Sequence, residues 1–385
     1  MPLRIMKQTA RIISIYTGDT SGVCSALFEL GGMTVMHDPS GCNSTYSTHD
    51  EPRWYDFDSQ IFISALTETQ AILGDDEKLI SDVEAAAEDL HPRFITVCGS
   101  PIPMMTGVDF PAVARQIEQR TGIPAIGIST DGMHSYISGV SSAFAALAQN
   151  FCRADLPRDS ELSVNILGVT PLDFSINGTD RDMKTLLEEH HIRVQSVWVM
   201  GSGWEEILDA GKAQVNLVVS SCGLETAKIL HKRFGTPYVI GTPYSRAFAK
   251  KIVTALQVAA NTGENSFVCT PCANQEIVIL GESVTSLSLA NAIREQFGFG
   301  ATVLCPLEGS EDLLSEGCIF ARDEDEILPH LENARILIAD PMYRPICPPS
   351  TKFIPLPHEA FSGRIYRAEI PRLVQDCEVF LQQLL

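Results

Sequence analysis

Three Rossmann-like parallel-sheet domains of the α/β class are what this sequence predicts, and three observations predict them. Short runs rich in β-branched and apolar residues recur along the chain. Segments of helical period lie between them, and several of these end in glycine just before the next run. Strands buried on both faces read as near-continuous apolar runs, and their alternation with helices marks βαβ units. A chain of 385 residues exceeds one ordinary core, so two or three domains are expected.

In chain order, RIISIY (11–16) and GMTVMHD (32–38) read as the first strands, with SGVCSALFEL (21–30) opening a helix between them. RFITV (93–97) and PAIGIS (124–129) follow, separated by the helical segments 76–91 and 110–122. A second group holds VNILGV (164–169), VQSVWVM (194–200), QVNLVVS (214–220) and PYVIG (237–241), with helices at 180–191 and 224–235. A third holds EIVILG (276–281), ATVLC (301–305), RILIAD (335–340) and KFIPL (352–356), with a helix at 284–298. The rhythm resets at the polar run 155–162 and again at NTGENSFVCTPCANQ (261–275), which are the expected domain crossings. The domains are therefore placed at 1–157 together with 355–385, at 158–265 and at 266–354. The closing helix, RLVQDCEVFLQQLL, is expected to return to the first domain.

Composition narrows the function. A formal charge of −20 argues against nucleic-acid binding, which needs a basic face. The apolar runs are too short for a membrane span, and the first residues lack the apolar block of a secretory signal, so a cytoplasmic location is expected. Eleven cysteines, an odd number spread along a long chain, read as free thiols or metal ligands rather than as a disulfide framework. The phosphate-loop pattern is absent, and so is a complete dinucleotide fingerprint; GSGW (201–204) is only a fragment of one.

Open α/β sheets bind ligands beyond the carboxyl ends of their strands. Cys98 follows RFITV, Cys24 lies at the start of a helix, and Cys42 follows GMTVMHD in the loop HDPSGCNSTYSTHD (37–50). Thiolates hold iron–sulfur clusters, and a helix N-terminus favours a thiolate. Position alone does not single these three out, because Cys222 and Cys305 also sit at strand ends. The Cys269/Cys272 pair in CTPC has zinc or redox spacing but no second pair nearby, and is expected in a hinge.

The residues around the cysteines break the tie. HDPSGC (37–42) resembles the cluster-binding turn of the nitrogenase component 1 family. LTETQAILGDDEKLISDV (66–83), VCGSPIPMMTGVDF (97–110), VNLVVSSCGLETAKILHKRFGTPYV (215–239) and PHEAFSGRIY (357–366) resemble further segments of that family, in family order. The resemblance implies three α/β domains around a metal-cluster cavity, with Cys24, Cys42 and Cys98 as cluster ligands at a subunit interface. It implies an oxidoreductase fed by a dinitrogenase-reductase-like iron–sulfur ATPase. ATP is then used by that partner, which fits the missing phosphate loop. His358 matches a cavity-facing histidine, and Glu68 and Asp109 match positions near the cluster, although both also read as helix caps or surface charges.

Two departures shape the expectation. The short interval between Cys24 and Cys42 favours a plain [4Fe–4S] cluster over a P-cluster-like double one. The cysteine that anchors the nitrogenase cofactor has no clean counterpart, since Cys222 is out of register. Dinitrogen reduction on a molybdenum–iron cofactor is therefore not expected, and a small molecule or a tetrapyrrole is the implied substrate. A homodimer or a paralogous heterodimer is expected, because three cysteines leave a cubane one ligand short. The alternatives are a non-catalytic scaffold on which a metal cofactor or tetrapyrrole is assembled, and a metal-free small-ligand binding protein.

Overall fold

The computed structural model describes residue 12 and residues 18–41, 51–58, 60–154, 156–270, 273–309, 311–313 and 317–385. Three fully parallel sheets follow one another along the chain. The first has the order β2-β1-β3-β4, from β1 (Met33–His37), β2 (Gln60–Ile63), β3 (Ile95–Gly99) and β4 (Ala125–Ile128). The second has the order β6-β5-β7-β8-β9, from β5 (Ser163–Leu167), β6 (Arg193–Trp198), β7 (Val215–Val218), β8 (Tyr238–Ile240) and β9 (Ser266–Phe267). The third has the order β12-β11-β10-β13-β14, from β10 (Ile277–Leu280), β11 (Thr302–Cys305), β12 (Cys318–Phe320), β13 (Ile336–Ala339) and β14 (Lys352–Pro355).

The expected helices form with their stop signals in use. Helix Phe110–Thr121 starts on an Asp109 cap with proline in its first turn, and ends on left-handed Gly122. Helices Leu224–Phe234 and Ser283–Phe297 end on left-handed Gly235 and Gly298 in the same way. Central strands are buried along their whole length, as β3, β5, β7, β10 and β11 show, which is why they are visible as apolar runs. Strands β2, β9 and β12 are absent from the sequence reading, and each is an edge strand of two to four residues with one hydrogen-bonded neighbour.

Each sheet reverses its order at one place: between β1 and β3, between β5 and β7, and between β10 and β13. Connections leave such neighbouring strands on opposite faces, so a crevice opens beyond their carboxyl ends. One apolar core joins all three domains and includes Cys24, Tyr136, Trp198, Cys222, Leu280 and Phe361. A second joins the middle and third domains, and a third lies under the other face of the first sheet.

The closing helix, Leu373–Leu381, is a correction to the sequence reading. It packs on the middle domain and not back on the first: Leu373, Val374, Cys377, Phe380 and Leu381 are buried in the second core. Arg372 Nε donates to Asp182 Oδ2 at 2.9 Å, and the Arg246 amide donates to Glu378. An amphipathic helix goes where an apolar face is offered, and Met183 and Leu187 of helix Thr179–Glu189 offer it. No helix among the described residues is long and apolar enough to cross a membrane.

Candidate functional site

Helix Asp19–Leu27 lies against helix Tyr136–Asn150 at backbone distance. A Cβ on Gly22 would stand 2.3 Å from Tyr136 O, and one on Gly139 would stand 1.8 Å from Asp19 O. Only glycine permits this approach, and the approach brings Cys24 to the end of the first sheet. There Cys98 is the last residue but one of β3, paired in register with Met36 of β1. Cys24 and Cys98 are neighbours in one buried core, and Cys98 Sγ lies 3.8 Å from Val35 O. Both residues are 0% exposed, so the pair is shielded within this chain. The neighbouring Cys98 thiol, and then burial, push the Cys24 thiol well above its ordinary value; the charges of Cys98 and Glu51 push the same way. Left to itself the Cys24 sulfur stays protonated, and a cation is what would favour its thiolate.

The chain leaving β1 is fixed on the same side. His37 Nδ1 meets Ser64 Oγ at 2.8 Å, the Asp38 amide donates to Ser64 Oγ at 3.2 Å, and Leu66 N donates to Asp38 O at 2.9 Å. Asp38 Oδ2 accepts the Ser40 amide at 2.8 Å, holding Ser40 in the left-handed region at φ 76°. The turn within HDPSGC (37–42) is therefore made at Ser40, through an aspartate turn. Cys42 lies outside the described residues. Among the described residues Ser100 Oγ and Asp38 Oδ1 are buried with no hydrogen-bond partner, at the ends of neighbouring strands. Two adjacent soft sulfur donors with an unpartnered hydroxyl two residues beyond Cys98 fit an iron–sulfur centre, whose sulfides accept such hydrogen bonds.

A second cluster gathers where the other two sheets reverse order. Asp173 follows β5, Ser220 and Cys222 follow β7, and Glu282 and Asp340 follow β10 and β13. Asp173 Oδ1 accepts the hydroxyl of Tyr136, from the first domain; Asp173 Oδ2 accepts Ser220 Oγ at 2.7 Å. Burial, and then the charge of Asp173, push the Tyr136 phenol well above its ordinary value, so Tyr136 is the donor. His358 Nε2 stands 3.4 Å from Asp173 Oδ1. Its Nδ1 accepts the Ala360 amide at 3.2 Å, which assigns the proton of the neutral ring to Nε2. Nε2 is buried without a hydrogen bond. Asp340 Oδ2 holds this loop by accepting His358 N and Ser362 Oγ, both at 2.8 Å.

His358 and Asp173 line a cavity of about 50 Å³ between the middle and third domains, closed by Tyr244, Leu289, Leu356 and Leu373. That is room for a water or two, not for a tetrapyrrole. A wider cleft of about 400 Å³ opens between the first and third domains, lined by His134, Glu308, Arg322, Tyr343 and Phe361 among others. The Phe361 ring centroid is 4.9 Å from that of His358, so the histidine lies one aromatic ring behind this cleft.

The expected site residues thus divide. Cys24 and Cys98 come together, while His358 belongs to the three-domain junction. Cys222 is fully buried, its thiol 3.8 Å from Asp173 Oδ2 and 3.7 Å from Gly168 O, and burial pushes it well above its ordinary value. Cys269 is buried with Sγ 3.5 Å from Ser288 Oγ, and its expected companion Cys272 lies outside the described residues. Glu68 is exposed in the first turn of helix Glu68–Leu73, and Asp109 caps a helix by accepting Ala112 N at 2.9 Å. Asp173, Tyr136 and Glu282 were missed. Only the strand-end rule, applied to VNILGVTPLDF, points at Asp173. Asp19, Asp131 and His134 bring three ligand-type atoms within 4.8 Å of one another. Asp19 accepts the amides of Thr20, Asp131 and Gly132, and Asp131 accepts those of Met133 and His134, so the group works as a loop clamp.

Comparison with known proteins gives the family and the fold. The chain is 28% identical over 227 residues to the nitrogenase iron–molybdenum cofactor biosynthesis protein NifE of Clostridium pasteurianum, a match covering 56% of this chain and 48% of the relative. It is 26% identical over 220 residues to the nitrogenase molybdenum–iron protein alpha chain of the same organism, covering 53% of this chain and 40% of the relative. The chain thus spans less than half the length of these two curated relatives. A solved structure titled nitrogenase Cp1 at pH 6.5 shares the fold, with a TM-score of 0.66 at 17% identity, over 100% of this chain and 96% of that one. The model of the family described as nitrogenase component 1 type oxidoreductase matches residues 22–303, and the chain belongs to that family.

Proposed function

We propose that this chain is the electron-receiving, iron–sulfur-carrying component of a nitrogenase-like oxidoreductase. Cys24, Cys98 and Cys42 are its cluster ligands, at the interface of a homodimer or a paralogous heterodimer. An ATP-dependent iron–sulfur reductase is its electron donor. The observation that carries this reading is the meeting of Cys24 and Cys98, remote in sequence, as one buried thiol pair at the crevice of the first sheet.

Bound there, an iron–sulfur cluster supplies one-electron transfer at low potential. The chain's own residues handle the rest. The packed glycines of the two helices fix the sulfur positions, and Ser100 Oγ is free to donate to a sulfide. Reduction of a small molecule consumes protons with electrons. Those protons come from solvent, and the Nε2–H of His358, beside Asp173 and Tyr136, holds the substrate at the inter-domain junction by donating a hydrogen bond. Anaerobic purification followed by iron and sulfide assay and electron paramagnetic resonance tests the reading. Wild type should carry iron and sulfide, Cys24→Ala and Cys98→Ala should lose them, and iron-free protein that resists reconstitution would end it.

A second reading keeps the cluster and drops the turnover. Cys222 is turned to Asp173 and Gly168, and the cavity beside His358 is small, so a large cofactor or tetrapyrrole finds no durable seat there. A scaffold that holds such a group transiently, as the name of the NifE relative suggests for that protein, accounts for this. Cluster-loaded protein mixed with reductase, ATP and candidate substrates separates the two readings: product formation supports the enzyme, and its consistent absence the scaffold.

A further inference from the structure

Three charged side chains are buried beside Cys24. Arg53 is 2% exposed and Glu51 1% exposed, and the Glu29 side chain is 7% exposed. The guanidinium spends all its donors. Nε goes to Glu51 Oε1 at 2.6 Å, Nη1 to Glu29 Oε1 at 2.8 Å and Val199 O at 3.4 Å. Nη2 goes to Ser25 O at 2.7 Å and Ser25 Oγ at 3.3 Å. Its plane lies 5.0 Å from the Phe28 ring centroid. Glu29 Oε2 accepts the Gly201 amide at 3.0 Å, so the group also ties the first domain to the middle one.

Burying an ion group costs free energy that hydrophobic residues of the same volume would not, so stability alone is a poor account of it. Its placement suggests another. Arg53 bonds to the backbone of Ser25, the residue after Cys24, and holds Glu51 Oε1 on its Nε at 2.6 Å. Two members of the group are carboxylates, Glu51 at Arg53 Nε and Glu29 at Nη1. A fixed negative charge in a low-dielectric site opposes the arrival of an electron.

We propose that the buried Glu29–Arg53–Glu51 group sets the potential of the centre held by Cys24 and Cys98: its carboxylates lower that potential, and Arg53 is the positioning residue that seats them against the Cys24 helix. This rests on the iron–sulfur reading above. Each glutamine substitution removes one formal negative charge while keeping side-chain volume and an acceptor oxygen.

The test is a redox titration, followed by electron paramagnetic resonance, of anaerobically reconstituted wild type, Glu51→Gln, Glu29→Gln and the surface control Asp82→Asn. Both buried variants should hold wild-type iron and shift to higher potential, with the control unmoved. Arg53→Lys, which keeps the charge but loses the fork, should also hold iron with a displaced potential. Wild-type iron with unchanged potential in both glutamine variants overturns the proposal and leaves the iron–sulfur reading standing. Wild-type protein that binds no iron overturns both, and loss of iron from both glutamine variants would show a purely structural group and overturn the tuning role.

Discussion

His358 Nε2, just after β14, and Asp173 Oδ1, just after β5, meet 3.4 Å apart. Tyr136 of the first domain donates to the same oxygen. The carboxylate accepts Tyr136 of the first domain and Ser220 of the middle one and lies against His358, so its loss should be felt as a loss of global stability. Asp173→Asn places amide protons against donors. It is expected to cost on the order of 3 kcal/mol, since hydrogen bonds to charged groups contribute about 1.5–3 kcal/mol each. Tyr136→Phe removes one donor and should cost less. Urea unfolding of the two variants and their double mutant checks this, with the double falling short of the sum because the residues share one network.

Glu282 makes a second inter-domain joint. It caps helix Ser283–Phe297 by accepting Val284 N at 3.1 Å and Thr285 N at 2.9 Å, and it also accepts Ser221 N of the middle domain at 3.0 Å. At 1% exposed, it leaves those amides no water to turn to. Glu282→Ala should cost about 2–3 kcal/mol, a helix cap together with a buried amide left unpaired. Glu282→Gln, which keeps an acceptor, should recover part of it. Thermal unfolding of the two variants gives the comparison.

His134 supplies the pH dependence. Its hydrogen bond with Asp131, at 3.0 Å, and then the charges of Glu308 and Asp131 raise the imidazole above its ordinary value near 6.5. A base with a raised folded value contributes stability that is fully present below the unfolded value and is lost as pH rises through the folded one. The side chain is 53% exposed, so solvent screening keeps that contribution small. Proton NMR should find His134 titrating above the ordinary histidine range in wild type and close to it in Asp131→Asn.

Much of this molecule was legible from residue order, and what was not has a physical reason. Buried central strands announce themselves because both faces need apolar side chains, while edge strands such as β12 need only three residues and one neighbour. Cys98 was findable because a strand end is defined locally. Asp173 in GVTPLDF reads locally as a helix-start residue; its role comes from Tyr136 and His358, which arrive from other domains. Arg53 was invisible for the same reason, since an arginine in a polar loop gives no sign of burial until Glu29 and Ser25 surround it. The closing helix was placed on the wrong domain because its apolar stripe says that it packs, not where.

The contact between helices Asp19–Leu27 and Tyr136–Asn150 carries the last prediction. Gly139→Ala would put a methyl carbon 1.8 Å from Asp19 O, a backbone atom that cannot step aside as a flexible side chain would. The helices must part, and overpacking of this kind costs about 1–3 kcal/mol. Because one helix carries Cys24 and the other Tyr136, the shift should reach both sites while the sheets stay intact. The far-ultraviolet circular dichroism spectrum should hold, the urea midpoint should fall, and thiol labelling should find Cys24 and Cys98, shielded in wild type, open to reagent. Ser138→Ala, one residue away on the same helix, should change none of these. Wild-type shielding of both thiols in folded Gly139→Ala protein would mean that the helix contact does not position the cysteines.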